Sequence, residues 1–600
     1  MSSKLVAIVG AGPCGLVALK EMREAGIQAF IIEASGVVGG VFAHPLPCFN
    51  LTVSNYFMAF SDFPPKSDLE YSTMAAYLKY VQDYAAHFQL HSKIEFHTSL
   101  ESAELNYADK WVLTLEKTCI NTGTKTTETR IVDALIVASG CHREPRLPDL
   151  GTFSGDIIHS SIYTPEKKAT LRGKKCLLIG SGESAADICA DVASVADELT
   201  IYVRKYPMIA PRVIEQREDE QLVTKNIPLS HHIEFQTTSR ITNEISLTAF
   251  ALSRLALWKY ILFAPSWSKW SQSICEKVPL RADQSGFVTK NSRMSDTIDD
   301  GKATLKVSPS AKFVDKSVIF ADGTKKDIDA VVLCTGYHQG FPFLKVEHSA
   351  NPRTWWRHCF HPKHGDKLFF IGYARPHQGG IPACAEILSR YIALILSGKR
   401  SLPPNYAELA VQEGQNEINY FLNDKGTPSL VDYFSFMESI ARQVGCKPQL
   451  PFAINFSFYG FFLSVIAFFL TGEVKLIGLA LVLLVAVFTL HNNFFLKYIY
   501  YPQWPAWYRL NGHGKKPEIT HEVLRRFPIS AMGFHPVVIL HILLLFIQRV
   551  VDVVLIIPGV LLSTVKGNRV TKEGGLWMFD RPKKTLLYDT GSRLSRMFAF

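Results

Sequence analysis

Two glycine-rich turns have the spacing that binds a nucleotide phosphate. The first, Gly10-Ala11-Gly12-Pro13-Cys14-Gly15, follows the apolar strand Leu5–Val9 and opens a helical stretch. In such a unit the glycines permit a tight turn, a close approach of pyrophosphate and close packing of helix on strand, while the helix N-terminus attracts phosphate. The next predicted strand, residues 29–32, ends at Glu33, whose carboxylate can accept hydrogen bonds from a ribose. We therefore predict a dinucleotide site here.

The second turn is Gly180-Ser181-Gly182-Glu183-Ser184-Ala185, between a predicted strand at 175–179 and a predicted helix at 186–195. The following strand, residues 200–203, ends at Arg204 instead of an acid. A guanidinium pairs well with a 2′-phosphate, which a carboxylate would repel. This pattern predicts NADP at the second turn. The alternative is that Arg204 is a solvated surface charge.

Two dinucleotide sites in one chain indicate a bound flavin and a hydride donor. None of the eleven cysteines has C-x-x-C spacing, so we expect neither a dithiol redox centre nor a metal site, and O2 becomes the electron acceptor. The net charge of +10 suits anionic cofactors or an anionic membrane surface. We predict no nucleic-acid binding, because no basic run is interleaved with aromatic residues.

A motif between the two turns resembles the fingerprint of the flavin-containing monooxygenase family. It runs from Phe153 through Gly155 and His159 to Tyr163, in the pattern F-x-G-x-x-x-H-x-x-x-Y. Related Baeyer–Villiger enzymes usually carry Trp or Pro at the last position, so Tyr163 favours the branch that oxygenates heteroatoms. Further stretches similar to the family lie at residues 60–64, 138–140, 334–344, 370–386 and 508–515.

The resemblance implies an α/β fold with two Rossmann-like domains, one for FAD and one for NADP. Besides the two turns, it places Gly40, Thr335 and Gly336 at the cofactors. NADPH would reduce FAD, O2 would give a C4a-hydroperoxyflavin, and a soft nitrogen or sulfur nucleophile would take one oxygen atom. The expected substrate is a small lipophilic amine or sulfide.

One position departs from the family pattern. The family usually has an asparagine eight residues before Phe60, and this sequence has Thr52 there, with Asn55 out of register. Thr52 or Asn55 is therefore our candidate for the hydrogen bond beside flavin and nicotinamide. His159 and Tyr163 either organise the domain junction near the nicotinamide or form a packed pair that supports it.

The predicted domain order has four segments. Residues 1–150 form the first part of an FAD-binding domain, 151–326 an NADP-binding domain with an insertion at about 213–300, 327–445 the second FAD part, and 446–600 a hydrophobic, helical, membrane-associated region. Apolar runs occupy 452–470, 476–490 and 537–562. The first is long enough to span a bilayer and the second is marginal. The third contains Arg549 and Asp552, which favours an interfacial segment.

The alternative for these apolar runs is a buried core helix. We expect membrane lipids as partners and catalytic domains facing the cytosol, at the endoplasmic reticulum membrane. The chain starts directly with strand-like sequence, so we expect no cleavable signal peptide. The sequence leaves open whether the protein forms an oligomer.

Three rival functions remain open at this stage. Baeyer–Villiger oxygenation of a ketone is opposed by Tyr163. An NADPH oxidase releasing hydrogen peroxide is favoured by the departure at Thr52. A nucleotide-binding scaffold or sensor is opposed by the two complete glycine-rich turns.

Overall fold

The computed structural model describes most of residues 4–449 together with a shorter C-terminal stretch. The described residues are 4–43, 49–209, 213–218, 221–228, 239, 288–376, 379–421, 428–449, 460, 464–465, 467–480, 482, 494, 497–498 and 501–527. The chain divides into two compact units. One comprises residues 1–231 and 262–431, and the other residues 232–261 and 432–600.

The first unit contains two parallel five-stranded sheets, in agreement with the two Rossmann-like domains that the sequence predicts. The first sheet has the order Leu368–Phe370, Ala134–Val137, Leu5–Val9, Gln28–Ile32 and Ile94–Glu95. Its central strands are runs of Val, Ile, Leu and Ala that are almost wholly buried. Such continuous apolar runs are typical of parallel strands covered on both faces.

The second sheet repeats this arrangement. Its order is Thr304–Val307, Glu198–Val203, Lys175–Ile179, Ala330–Leu333 and Asp156–His159, all parallel. The strand Ala330–Leu333 pairs with both Lys175–Ile179 and Asp156–His159. This strand completes the second sheet before the chain returns to the first, and the domain boundary at 326/327 stays a prediction.

Helices cover these sheets and short antiparallel ribbons extend them. Among its described residues, the helices of the first unit are Pro13–Glu24, Asn55–Met58, Met74–His87, Pro165–Ala169, Glu183–Ala193, Arg293–Asp299, Ile381–Leu396 and Tyr406–Tyr420. The three-stranded ribbons are Thr98–Leu105, Trp111–Thr118 and Lys125–Val132, and Ala311–Val314, Ser317–Phe320 and Lys325–Asp327. Two-stranded pairs join Glu144–Pro145 to Tyr337–His338, Met208–Ile209 to Val288–Thr289, Val213–Glu218 to Gln221–Pro228, and Arg375–Pro376 to Leu430–Val431.

The described part of the second unit is helical around an aromatic core. It contains the helices Tyr433–Val444 and Pro517–Arg526 and the 3-10 turn Pro505–Arg509. Trp504 and Trp507 are buried there, and the Tyr433 hydroxyl donates to the backbone oxygen of Gln503 at 2.9 Å.

The predicted membrane region is described only in part. Residues 537–562 lie outside the described residues, and the runs at 452–470 and 476–490 are described at a few positions each. Among the residues that the structure describes, no helix combines the length and apolar character needed to cross a bilayer. Membrane association stays a prediction.

Candidate functional site

The first glycine-rich turn lies at the carboxyl edge of the first sheet. Gly10 N–H donates to the backbone oxygen of Ile32 at 2.8 Å. A Cβ atom on Gly15 would lie 1.9 Å from the Gly10 oxygen, so only glycine lets the helix begin this close to the strand. Gly12 faces Gly40, where a Cβ would lie 3.1 Å from the Gly12 Cα. The result is a channel between two stretches of bare backbone at a helix N-terminus, which fits a pyrophosphate.

Glu33 is held at the same edge by backbone donors. Its Oε2 accepts from Ala11 N–H at 2.6 Å and its Oε1 accepts from Ser35 N–H at 2.8 Å. A carboxylate has about four lone-pair sites, so two remain for further donors. This position, beside the first turn and at the end of the strand Gln28–Ile32, suits a ribose.

The second turn has the same construction at the edge of the second sheet. Gly180 has φ +129°, and a Cβ there would lie 2.4 Å from the Cys334 oxygen. Gly182 caps the helix Glu183–Ala193 and has open space where a side chain would stand. Ser184 is half-buried and Ala185 is buried in that helix. The Gly182 position therefore leaves room for a phosphate at the helix N-terminus.

Arg204 directly follows the strand Glu198–Val203 and is exposed. That strand is the parallel neighbour of Lys175–Ile179, which leads into the second turn. The two strand ends therefore lie side by side at one edge of the sheet. This is the geometry in which a guanidinium reaches the 2′-phosphate of a dinucleotide bound at the turn.

Two chain segments link the sheets, and His159 hydrogen-bonds to one of them. We call this place the junction; it comprises residues 141–146 and 334–338. Ser161 N–H donates to His159 Nδ1 at 3.1 Å, so Nε2 carries the proton and donates to the Gly336 oxygen at 3.2 Å. Burial lowers the pKa of His159, while the Gly336 oxygen acts in the opposite direction. The histidine is a neutral support of the junction.

Thr335 and Gly336 belong to the same junction. The Thr335 hydroxyl donates to the Arg146 oxygen at 2.5 Å, and Arg146 N–H donates to the Gly336 oxygen at 2.9 Å. Because Cys334 touches Gly180, these residues lie beside the second turn.

Tyr163 is a packing residue of the second sheet's domain. It is 2 % exposed, and its hydroxyl donates to Asp191 Oδ2 at 2.9 Å, where Lys168 also binds. Tyr163 is thus packed within its own domain, whereas His159 contacts the junction, and the choice between the two interpretations of this pair stays a prediction.

Thr52 and Asn55 have different surroundings. The Asn55 amide donates to Ser67 and to the Asp68 oxygen, and its oxygen accepts from two backbone N–H groups. These four hydrogen bonds hold a local turn. Thr52 is half-buried, and its backbone oxygen accepts from the Lys290 ammonium at 3.4 Å. Thr52 thus lies where the second sheet's domain reaches the first, and its role at the cofactors stays a prediction.

Two basic residues, Lys290 and Arg375, were not among the site residues predicted from the sequence. Lys290 N–H donates to Glu183 Oε1 at 2.7 Å, so Lys290 is anchored to the second turn while its ammonium contacts Thr52. Arg375 follows the strand Leu368–Phe370 and is half-buried. The sequence shows only that this arginine comes three residues after Gly372, which follows the strand.

The segment at 60–64, which resembles the family, is bound to two helices by hydrogen bonds and an ion pair. Ser61 N–H donates to Glu386 Oε2 at 2.7 Å, and the Ser61 hydroxyl donates to Glu386 Oε1. Asp62 pairs with Lys20 at 2.5 Å, with both side chains almost fully buried. These bonds tie the segment to the helices Ile381–Leu396 and Pro13–Glu24, which frame the first turn.

Comparisons with known proteins place the chain among flavoproteins. The family model described as flavin-binding monooxygenase-like matches residues 3–457. A 4-hydroxybenzoate brominase (decarboxylating) of Marinomonas mediterranea is 33% identical over 535 residues, which cover 88% of this chain and 93% of that protein. Flavin-containing monooxygenase 5 of Oryctolagus cuniculus is 26% identical, over 75% and 84% of the two chains.

The fold is shared with solved structures. An oxidized steroid monooxygenase bound to NADP superimposes with a TM-score of 0.52 at 18% identity, covering 74% of this chain and 97% of that one. At this identity the likeness shows the fold alone.

Proposed function

Because the chain belongs to the flavin-binding monooxygenase-like family, we propose that it passes one oxygen atom of O2 to a soft nucleophile, the class of amine nitrogen and sulfide sulfur. The enzyme is an FAD- and NADPH-dependent monooxygenase. When bound, FAD would supply the redox chemistry, since it can accept hydride from NADPH and activate O2. The first turn with Glu33 fits FAD, and the second turn with Arg204 fits NADP.

The observation that carries the proposal is a contact between the domain of the second turn and the domain of the first sheet. Lys290 is fixed by Glu183 at the second turn and touches Thr52 of the first sheet's domain. Nicotinamide and flavin rings must meet where these domains meet. The chain's own work there is to orient the two rings and to exclude water, since stray protons divert O2 to hydrogen peroxide. A neutral His159 suits such a place, because it carries no excess proton at physiological pH.

The 33% identity to a brominase favours a second candidate function. In it, bromide is the soft nucleophile, and a phenolic acid is brominated afterwards. Both candidates use the same cofactors and differ only in the nucleophile. Baeyer–Villiger oxygenation and peroxide release remain outcomes of the test below.

We also propose that the protein is held at a membrane, with the catalytic unit facing the cytosol at the endoplasmic reticulum. Exposed apolar side chains around the turn at 471–475 support this proposal: Phe469 is 77% exposed, Leu470 80% and Val474 72%. The sequence on both sides of this turn is apolar. Such a tip would bury its side chains in lipid.

The test of the oxygenation proposal compares nucleophiles under one set of conditions. Purified full-length protein is supplied with NADPH, labelled O2 and, separately, N,N-dimethylaniline, thioanisole, cyclohexanone, or bromide with 4-hydroxybenzoate. We expect labelled N-oxide or sulfoxide, with NADPH use matching product. Bromophenol alone would select the second candidate. A lactone alone, or peroxide equal to NADPH in every case, would contradict both.

A further inference from the structure

Lys290 and its neighbour Thr289 are bound to the second turn. The Thr289 hydroxyl donates to the Ser181 oxygen at 2.8 Å, and Lys290 N–H donates to Glu183 Oε1 at 2.7 Å. Both residues are almost fully buried, with Thr289 3% and Lys290 6% exposed. Because these two bonds use a neighbouring side chain and the Lys290 backbone, they hold Lys290 at the turn independently of its own ammonium.

The ammonium of Lys290 reaches the domain of the first sheet. It donates to the backbone oxygen of Thr52 at 3.4 Å, across 238 residues of sequence. An ammonium is a donor only, so a buried one is stabilised where acceptors meet it. Since the acceptor is a backbone oxygen, the contact acts on the path of the chain at residue 52 and not on the threonine side chain.

Thr52 belongs to a short loop, residues 51–55, that is also held at both ends within its own domain. Leu51 N–H donates to the Ser72 oxygen at 3.0 Å, and Asn55 N–H donates to the Glu70 oxygen at 2.9 Å. The contact from the second sheet's domain falls between these two points. The middle of the loop is therefore the part whose position depends on the other domain.

The loop continues directly into elements that frame the first turn. The helix Asn55–Met58 follows it, and a Cβ atom on Gly380 would lie 2.3 Å from the Phe57 oxygen of that helix. Gly380 precedes the helix Ile381–Leu396, which packs against Pro13–Glu24, the helix that the first turn opens. A shift of the loop is therefore passed on to elements around the first nucleotide site.

We propose that Lys290 is a positioning residue that couples occupation of the second turn to the loop at 51–55. When a nucleotide occupies the turn, Glu183 and the Lys290 backbone are fixed together, and the ammonium then fixes the loop beside the first nucleotide site. Such a link matters because hydride transfer depends steeply on the distance between the reacting rings. This inference rests on the proposed placement of NADP at the second turn, and it is independent of the nucleophile that receives oxygen.

Hydrogen exchange tests the coupling without turnover. NADP is added to the full-length, FAD-loaded protein, and exchange is followed in peptides that cover residues 177–193 and 49–58. In the unchanged protein we expect NADP to slow exchange in both peptides, by roughly fivefold or more. In Lys290→Met only the peptide 177–193 should stay protected, because the substitution removes the ammonium and keeps the backbone bond to Glu183. Lys167→Met, the same change at an exposed lysine, is the control and should behave as the unchanged protein.

Anaerobic flavin reduction by NADPH is the second measurement. Lys290→Met should lower the reduction rate at saturating NADPH by about tenfold, and the Kd for NADPH should stay within about twofold. Lys290→Arg keeps a cation of similar reach and should recover most of the rate. Thr289→Val, which removes the hydroxyl bond to Ser181 and keeps the ammonium, should weaken protection of residues 49–58 by a smaller factor. Flavin content and Tm of each variant show that the fold is retained.

The outcomes separate the coupling from simpler roles of Lys290. Equal protection of residues 49–58 in Lys290→Met and the unchanged protein would overturn it. A raised Kd for NADPH with an unchanged reduction rate would also overturn it and would make Lys290 a nucleotide-binding residue. If NADP failed to protect residues 177–193 in the unchanged protein, its placement at the second turn would fall, and the coupling with it. Failure to oxygenate amines or sulfides would contradict the proposed function and leave the coupling standing.

Discussion

At the scale of single residues, the two nucleotide sites differ in the charge of the residue that follows the strand after each glycine-rich turn. Glu33 is held by two backbone N–H donors beside the first turn, where it suits a ribose with free hydroxyl groups. Arg204 occupies the corresponding place beside the second turn and is exposed. We therefore expect the same architecture to select different nucleotides through opposite charges.

Arg204→Gln should weaken NADPH binding selectively. Loss of a charge-assisted hydrogen bond to the 2′-phosphate predicts a rise in the KM for NADPH of roughly 10- to 100-fold. The KM for NADH, which lacks that phosphate, should change little. Steady-state kinetics with both nucleotides measure this, and Arg172→Gln is the control. Parallel losses with NADPH and NADH would show that Arg204 does not read the 2′-phosphate.

At the scale of elements, each nucleotide site is a strand, a turn and a helix in close contact. Gly15 touches the Gly10 oxygen where a Cβ would lie 1.9 Å away, whereas Gly182 has open space in the matching unit. At the first nucleotide site, the close packing of helix on strand therefore excludes any side chain at Gly15. The second has its free space on the side where phosphate approaches.

Gly15→Ala and Gly182→Ala should therefore fail in different ways. The first forces the helix off its strand, which should cost more than about 3 kcal/mol and release FAD. The second keeps the fold and the flavin but fills the phosphate space, so that the KM for NADPH rises. Flavin absorbance per protein, Tm and NADPH kinetics measure the two effects. Retention of full FAD content by Gly15→Ala would contradict the role assigned to this contact.

We expect His361 to lower the free energy of unfolding in acid. Burial lowers the pKa of His361 to about 4, with His364, His348 and Lys363 adding to the effect against the Glu347 oxygen. Its Nδ1 accepts from the N–H groups of Lys363 and His364, so the folded state requires the neutral ring.

Because the folded pKa lies below the unfolded value of about 6.5, the unfolded state binds more protons between those values. Stability is full above pH 6.5 and falls as the pH drops towards 4, by about 1 to 2 kcal/mol at pH 5 from this residue. His361→Asn should flatten that slope between pH 8 and pH 5, measured by urea unfolding. His91→Asn, at an exposed histidine, should not. An unchanged slope in His361→Asn would exclude this origin.

The sequence predicts what local spacing determines and misses what distant pairing determines. Both turns, Glu33 and Arg204 follow from patterns within about 30 residues, and the structure has them at the predicted strand ends. The sequence does not reveal that Ala330–Leu333 joins the second sheet, because its partners lie more than 150 residues away. Lys290 meets Thr52 across 238 residues, which no local pattern reveals. Arg375 and the buried His361 were missed for the same reason.

At the scale of the whole molecule, the first and second units differ in how their exposed apolar side chains are distributed along the sequence. In the first unit, the apolar strands are covered, and the exposed large apolar side chains of its described residues occur singly, such as Leu147, or in pairs, such as Val37 and Val41. In the second unit, Phe469, Leu470 and Val474 are exposed within six residues of one another. Clustered exposed apolar groups mark an interaction surface, whereas single ones need no explanation.

We expect this cluster to make the protein float with lipid vesicles. Full-length protein mixed with phosphatidylcholine–phosphatidylserine vesicles should move to the top of a density gradient. Phe469→Ser combined with Leu470→Ser should reduce the bound fraction by about tenfold or more, because each large apolar side chain contributes roughly 1.5–3 kcal/mol when buried. Leu147→Ser, an equally apolar exposed site in the first unit, is the control and should float normally. Flotation that is equal in all three proteins would assign lipid binding to another part of the chain, and no flotation of the unchanged protein would reject membrane attachment.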